Sequence, residues 1–76
     1  MTKLPRITSK KILAILIKDG FYIHHQSGSH INLRHKIKSH LHVVIPFHSN
    51  RDLAPKTIKS IIIQAGLSLE EFLKLF

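Results

Sequence analysis

The sequence predicts a small α+β domain in which helices cover one face of a three-stranded antiparallel sheet. Apolar residues recur at helical spacing near both ends of the chain, and three short β-rich runs lie between these regions. The chain has 76 residues, so we expect one domain covering residues 1–76. The predicted element order is α-β-β-β-α(-α), because each amphipathic element must bury its apolar side against another layer.

The first predicted helix covers residues 8–19. Thr8 or Ser9 is suited to cap it, since a hydroxyl accepts a hydrogen bond from a free backbone N–H of the first turn. Its apolar residues are three and four positions apart: Ile12, Leu13, Leu16 and Ile17. Gly20 follows as the residue that ends the helix.

Three predicted strands follow, at residues 21–26, 30–35 and 40–47. The second strand alternates, with Ile31 and Leu33 on one side and polar residues on the other. This period of two is typical of a sheet that is covered on one face.

A three-residue loop, Ser27–Ser29, is the favoured connection of the first two strands, with Gly28 taking any positive φ. It pairs Gln26 with His30, and it turns Phe21, Ile23 and His25 toward the core. The outer face of the predicted sheet then carries these side chains: Tyr22, His24, Gln26, His30, Asn32, Arg34, His40 and His42.

After a predicted turn at residues 48–52, a second helix begins near Pro55, which is tolerated at a first helical position, and ends at Gly66. Its apolar residues have helical spacing: Ile58, Ile61, Ile62 and Ala65. The segment Ser68–Glu71 fits a capping box that opens a short last helix through Phe76.

The composition favours a polyanionic partner. Twelve Lys and Arg residues face four acidic residues, for a formal net charge of +8. Cysteine is absent, so disulfides and thiolate metal sites are excluded. The longest apolar stretch is far shorter than the roughly 20 residues of a membrane span, and we expect a cytoplasmic protein without a membrane partner.

The turn Gly28-Ser29-His30 is the strongest candidate for chemistry. An imidazole exchanges protons near neutral pH, and RNA is the polyanion that cleaves itself once a base removes its 2′-hydroxyl proton. The alternative is that His30 is an ordinary polar residue at the start of a strand. Gly28 is expected to serve conformation, and Ser29 either orders the turn or binds a phosphate.

Four segments, which together span most of the chain, carry a resemblance to a known family: Lys18–Phe21, Gly28–His30, Val44–His48 and Thr57–Leu67. In this order and spacing they resemble the HicA family of small toxins, the mRNA interferases of type II toxin–antitoxin pairs. This resemblance implies a double-stranded-RNA-binding-domain-like (dsRBD-like) fold and metal-independent cleavage of mRNA. It also implies that the signature histidine, here His30, is essential and that a HicB-type antitoxin is the partner.

Cleavage without a metal also needs a second proton-transfer group and positive charge beside the phosphate. The candidates for proton transfer are His24, His42 and His48, each of which is alternatively a surface histidine. The candidates for phosphate binding are Arg34, Lys36 and Lys38, each of which is alternatively a solvated cation. Tyr22 either stacks on a base or packs on the Arg34 side chain.

The sequence predicts no cofactor and no metal. The pair His40 and His42 raises the possibility of zinc, but no cysteine or carboxylate accompanies them in the predicted strands. Two other functions stay open at this point. One is a basic module that binds RNA without cutting it, and the other is a metal-dependent nuclease. The sequence leaves the oligomeric state open.

Overall fold

The structure is a computed structural model that describes residues 6–48 and 51–76. Its elements follow one another in the predicted order: α1 Ser9–Asp19, β1 Phe21–Ser27, β2 His30–His35, β3 His42–Pro46, α2 Pro55–Gln64 and α3 Leu69–Leu75. The strands form one antiparallel sheet in the order β1-β2-β3. This element order and sheet confirm the predicted α+β class. The arrangement of the helices and the sheet is consistent with a dsRBD-like fold. Residues 49 and 50 of the predicted turn at residues 48–52 lie outside the described residues.

Helix α1 begins and ends where the sequence predicts. The Thr8 hydroxyl accepts a hydrogen bond from the backbone N–H of Lys11 at 3.1 Å. At the other end Gly20 has φ +116°, a left-handed conformation that residues with a side chain rarely adopt. An added Cβ there would lie 2.8 Å from His35 Nε2, so close packing also requires glycine.

Helices α2 and α3 differ in how they begin. Pro55 opens α2 without a side-chain cap. In α3 the Ser68 hydroxyl accepts from the backbone N–H of Glu71, and the Glu71 carboxylate accepts from the backbone N–H of Ser68, which is the predicted capping box. Hydrogen bonding to Ser68 lowers the pKa of Glu71 below its ordinary value of 4.5, and the Ser68 backbone contributes more to this shift than the Ser68 side chain does.

The core lies between one face of the sheet and the helices. Its buried apolar residues are Ile7, Ile12, Ile15, Leu16, Phe21, Ile31, Leu33, Val43, Ile45, Leu53, Ile58, Ile61, Ile62, Ala65 and Phe72. Gln64 of α2 also satisfies the outer edge of β3, because its Oε1 accepts from the Val44 N–H at 3.0 Å. The edge of β3 is therefore partly covered by α2.

The register of the first hairpin corrects the prediction. The loop has two residues, Gly28 and Ser29, and Ser27 pairs with His30 in place of Gln26. A β-bulge between Ile23 and His25 then restores the predicted pairing of Tyr22 with Arg34. Cross-strand partners share a face, so the bulge changes which residues of β1 face outward.

We call the side of the sheet turned away from the helices the open face. The cross-strand pairs assign these residues to it: Tyr22, His25, Ser27, His30, Asn32, Arg34, His42, Val44 and Pro46. Three predictions for this face are wrong. His25, predicted to face the core, pairs with Asn32 on the open face, while Gln26 pairs with Ile31 on the core side. His40, predicted to lie on the outer face of the third strand, instead precedes β3. It lies in a turn in which the Leu41 N–H donates to the Lys38 carbonyl at 2.9 Å.

Candidate active site

His30 stands at the beginning of the central strand, immediately after the hairpin turn. Gly28 has φ +56°, as the first central residue of a type II′ hairpin turn requires. An added Cβ on Gly28 would meet nothing within 4 Å, so its positive φ, and not close packing, is what favours glycine at this position. His30 pairs with Ser27 on one side and Pro46 on the other, and its side chain is exposed. The backbone around this imidazole is therefore held from both sides.

The buried hydroxyl of Ser9 holds the chain that passes beside His30. It donates to the Pro46 carbonyl at 2.8 Å and accepts from the His48 backbone N–H at 3.1 Å. The Phe47 N–H donates to the Ser29 carbonyl, which continues the β2–β3 pairing beyond the end of β3. The start of α1 thus anchors the exit of β3, and the exposed His48 follows it.

His42 is oriented by a side-chain hydrogen bond on the open face. Its Nε2 lies 3.0 Å from Asn32 Oδ1. An amide oxygen only accepts, so the ring donates from Nε2, and in the neutral ring Nδ1 is left as the acceptor. His42 pairs with Arg34, four residues along β2 from His30, so the strand rise and the spacing between strands together separate the His42 and His30 Cα atoms by about 14 Å.

Arg34 lies between two aromatic rings in register, Tyr22 on β1 and His42 on β3. Its Nε is buried and has no hydrogen-bond partner among the residues that the structure describes. Tyr22 beside it is 40% exposed. Both readings of Tyr22, stacking on a base and packing on Arg34, fit this placement.

His35 is a structural residue that the sequence analysis did not single out. It is 7% exposed, and its ring meets Phe21 edge-on with centroids 4.8 Å apart. Its Nδ1 accepts the backbone N–H groups of Ile37 at 3.1 Å and Lys38 at 3.0 Å. Its Nε2 then carries the proton and donates to the Asp19 carbonyl at 3.0 Å. The alternation of Ile31 and Leu33, extended by two residues, points to this buried position.

The loop that His35 organises presents Lys36 and Lys38, which are both exposed. This loop leaves the opposite end of β2 from His30. Six residues separate His30 from Lys36, which corresponds to about 20 Å of extended strand. The two lysines are therefore separated from His30 by about the length of β2.

The structure brings only part of the predicted site together. The predicted residues on the open face are Tyr22, His30, Arg34 and His42. His24 is the extra residue of the bulge and has no cross-strand partner. The four acidic residues lie outside the strands, at Asp19, Asp52, Glu70 and Glu71, so the strands place no carboxylate on the open face. On the core side, Asp19 Oδ2 lies 3.9 Å from His35 Nε2.

Two features are absent from the part of the chain that the structure describes. Within residues 6–48 and 51–76, no group of three or more His, Cys, Asp or Glu side chains has a metal-binding arrangement. In the same ranges, no helix has the length and apolar character needed to cross a membrane.

Comparison with known proteins connects this site to a family. No curated protein matches the chain. A family model described as the HicA toxin of bacterial toxin–antitoxin systems matches residues 9–67, which include the whole sheet, α1 and α2. Since this match spans far more than half of the sequence, the chain belongs to the HicA toxin family.

Proposed function

We propose that this toxin is an mRNA interferase, an endoribonuclease that cleaves by metal-independent general acid/base catalysis through His30. The observation that carries the proposal is the position of His30, an exposed imidazole at the mouth of the hairpin on a sheet face without carboxylates. Family membership supports RNA as the substrate and a cognate antitoxin as the partner.

The reaction uses the nucleophile that RNA already contains. A base removes the proton of the 2′-hydroxyl, the 2′ oxygen bonds to phosphorus, and the bond from phosphorus to the 5′ oxygen breaks as that oxygen takes up a proton. His30 performs one of the two proton transfers. A positioned group of this kind contributes about 10²–10⁴ in rate.

The other predicted residues have supporting roles in this proposal. Arg34 holds a phosphate through its guanidinium, and Tyr22 provides an exposed ring edge on which a base can stack. Lys36 and Lys38 bind phosphates farther along the strand, since the loop lies about 20 Å from His30. Gly28 sets the turn, and Ser29 holds the β3 exit through its carbonyl. The second proton-transfer group comes from the remaining histidines, of which His24, His42 and His48 are predicted from sequence.

We also propose that the antitoxin is of the HicB type and that it covers the open face with an acidic surface. The net charge of +8 favours fast association with such a surface at low salt. An antitoxin that contacts only the helices and leaves cleavage unchanged would contradict this part of the proposal.

The proposed activity is tested by incubating a purified mRNA with the wild-type chain, with His30→Ala and with His40→Ala. EDTA is present in every reaction. His40 lies in the turn before β3, so His40→Ala is the matched control. We expect cleavage by the wild type and by His40→Ala and none by His30→Ala.

The other results have distinct meanings. Equal cleavage by His30→Ala would show that His30 is not required. Binding of RNA without cleavage by the wild type, with and without Mg²⁺, would favour a non-catalytic RNA-binding module. Cleavage that appears only when Mg²⁺ replaces EDTA would favour a metal-dependent nuclease.

A further inference from the structure

The corrected register places a second histidine diagonally across from His30. His25 pairs with Asn32, and Ser27 pairs with His30, without a bulge between these two pairs. His25 and His30 are therefore diagonal neighbours on the open face, with Cα atoms about 7–8 Å apart. Both side chains are exposed.

The residues between the two imidazoles leave room for a ligand. Ser27, directly opposite His30, is small, and Asn32, directly opposite His25, is turned toward His42 by its hydrogen bond. At this Cα separation, imidazoles on neighbouring strands are close enough for one to contact the attacking side of a phosphodiester and the other its leaving side. Opposite sides are what in-line displacement requires, because the attacking and leaving oxygens lie on opposite sides of phosphorus.

The sequence-predicted candidates fit this task less well. His42 lies about 14 Å from His30 between Cα atoms and is already hydrogen-bonded to Asn32. His24 is the unpaired residue of the bulge, so no strand partner places it on the open face. His48 lies two residues beyond Pro46, the partner of His30, but β3 ends at Pro46, so no cross-strand pair fixes the His48 side chain on the open face.

We infer that His25 and His30 form the proton-transfer pair of this toxin. The inference rests on the proposed ribonuclease function. One imidazole takes the proton of the 2′-hydroxyl as the bond between the 2′ oxygen and phosphorus forms. The other, protonated, gives its proton to the 5′ oxygen as that oxygen leaves. The products are a 2′,3′-cyclic phosphate and a 5′-hydroxyl, and exchange with water restores both imidazoles.

The test compares two RNA oligonucleotides that contain a mapped cleavage site. One is ordinary RNA, and the other has sulfur in place of the bridging 5′ oxygen of the cleaved bond. A thiolate leaves without taking up a proton, so the sulfur substrate needs the base and does not need the acid. The enzymes are the wild type, His25→Gln, His30→Gln, His24→Gln, His48→Gln and the control His40→Gln, each checked for folding by thermal unfolding.

We expect His25→Gln and His30→Gln each to cleave ordinary RNA about 100-fold or more slowly than the wild type. On the sulfur substrate one of these two variants recovers and the other does not, which separates the acid from the base. A residue that only supports the fold or binds RNA would slow both substrates equally.

Several results would overturn the inference. One is a His25→Gln variant that cleaves at the wild-type rate while His30→Gln is inactive, in which case the ribonuclease proposal survives without the pair. Another is recovery on sulfur by His24→Gln or His48→Gln in place of the pair. A third is loss on both substrates by both His25→Gln and His30→Gln. Failure of the wild type to cleave either oligonucleotide would instead contradict the proposed function itself.

Discussion

Replacing Ser9 by alanine is expected to weaken the fold at the point where α1 meets the candidate active site. Ser9 is fully buried, and its hydroxyl makes two hydrogen bonds, to the Pro46 carbonyl and from the His48 N–H. Each bond contributes about 1 kcal/mol net, so Ser9→Ala lowers the free energy of unfolding by about 2 kcal/mol. For a domain of this size that corresponds to a fall in Tm of about 8–16 °C.

The control for this substitution is Ser60→Ala. Ser60 is exposed on α2, and its hydroxyl accepts one side-chain hydrogen bond from the described residues, from Gln64 Nε2 at 3.0 Å. An exposed change of this kind alters stability by about 0.5 kcal/mol or less. The assay is thermal unfolding followed by circular dichroism at neutral pH, with both variants in the same buffer. Equal Tm values for Ser9→Ala and Ser60→Ala would refute the reasoning that Ser9 holds the β3 exit.

Four further predictions concern the turn after α1, the cap of α3 and the binding of RNA. Gly20→Ala is expected to destabilise the fold by about 1–3 kcal/mol, because φ is +116° and the new Cβ would press on the His35 ring. Hydrogen exchange should accelerate at the amides of Ile37 and Lys38, which donate to that ring. Protection of these amides at the wild-type level would contradict this expectation. Glu71 has a lowered pKa, so its contribution to stability is present above pH 4.5 and is lost as the pH falls through the lowered value. The difference in Tm between the wild type and Glu71→Gln should therefore shrink at acidic pH, and a constant difference would count against it. RNA affinity, measured by fluorescence anisotropy, should fall about 10³-fold between 50 and 200 mM salt if about six phosphates are neutralised. Arg34→Ala should reduce the slope against the logarithm of salt concentration by about one, and an unchanged slope would remove Arg34 from the phosphate contacts.

Most elements of the fold were predictable because their signals are local. Thr8 and Gly20 bound α1, Pro55 opens α2, and Ser68 with Glu71 caps α3, each within a few residues of the element it limits. The start of β3 was not predictable in this way. The turn between Lys38 and Leu41 shortens the strand at its beginning, and the alternation of apolar residues does not reveal that turn.

The role of His35 shows a second limit of prediction from the sequence. Its side chain bonds Asp19, Ile37 and Lys38, and its ring packs on Phe21 and against Gly20. Alternation along β2 is enough to predict that this position is buried. The partners that satisfy both ring nitrogens come from three separate segments, and their positions depend on the assembled fold. A polar residue at a core position therefore deserves a structural explanation first.

The bulge in β1 explains both what the sequence predicted correctly on the open face and what it missed. Phe21 must face the core, with Ile23 on the same side of β1 at 48% exposure, and the glycine turn favours a two-residue loop. An unbroken strand cannot satisfy both demands, because a two-residue loop alone would turn Phe21 and Ile23 outward. The predicted three-residue loop would have removed this conflict at the turn. The protein instead has a two-residue loop and one extra residue in the strand, between Ile23 and His25. Tyr22 lies before the extra residue and keeps Arg34, its predicted partner. His25 lies after the extra residue, toward the turn, and therefore changes from the core side to the open face. The imidazole that stands diagonally across from His30 is therefore a consequence of where the extra residue is placed.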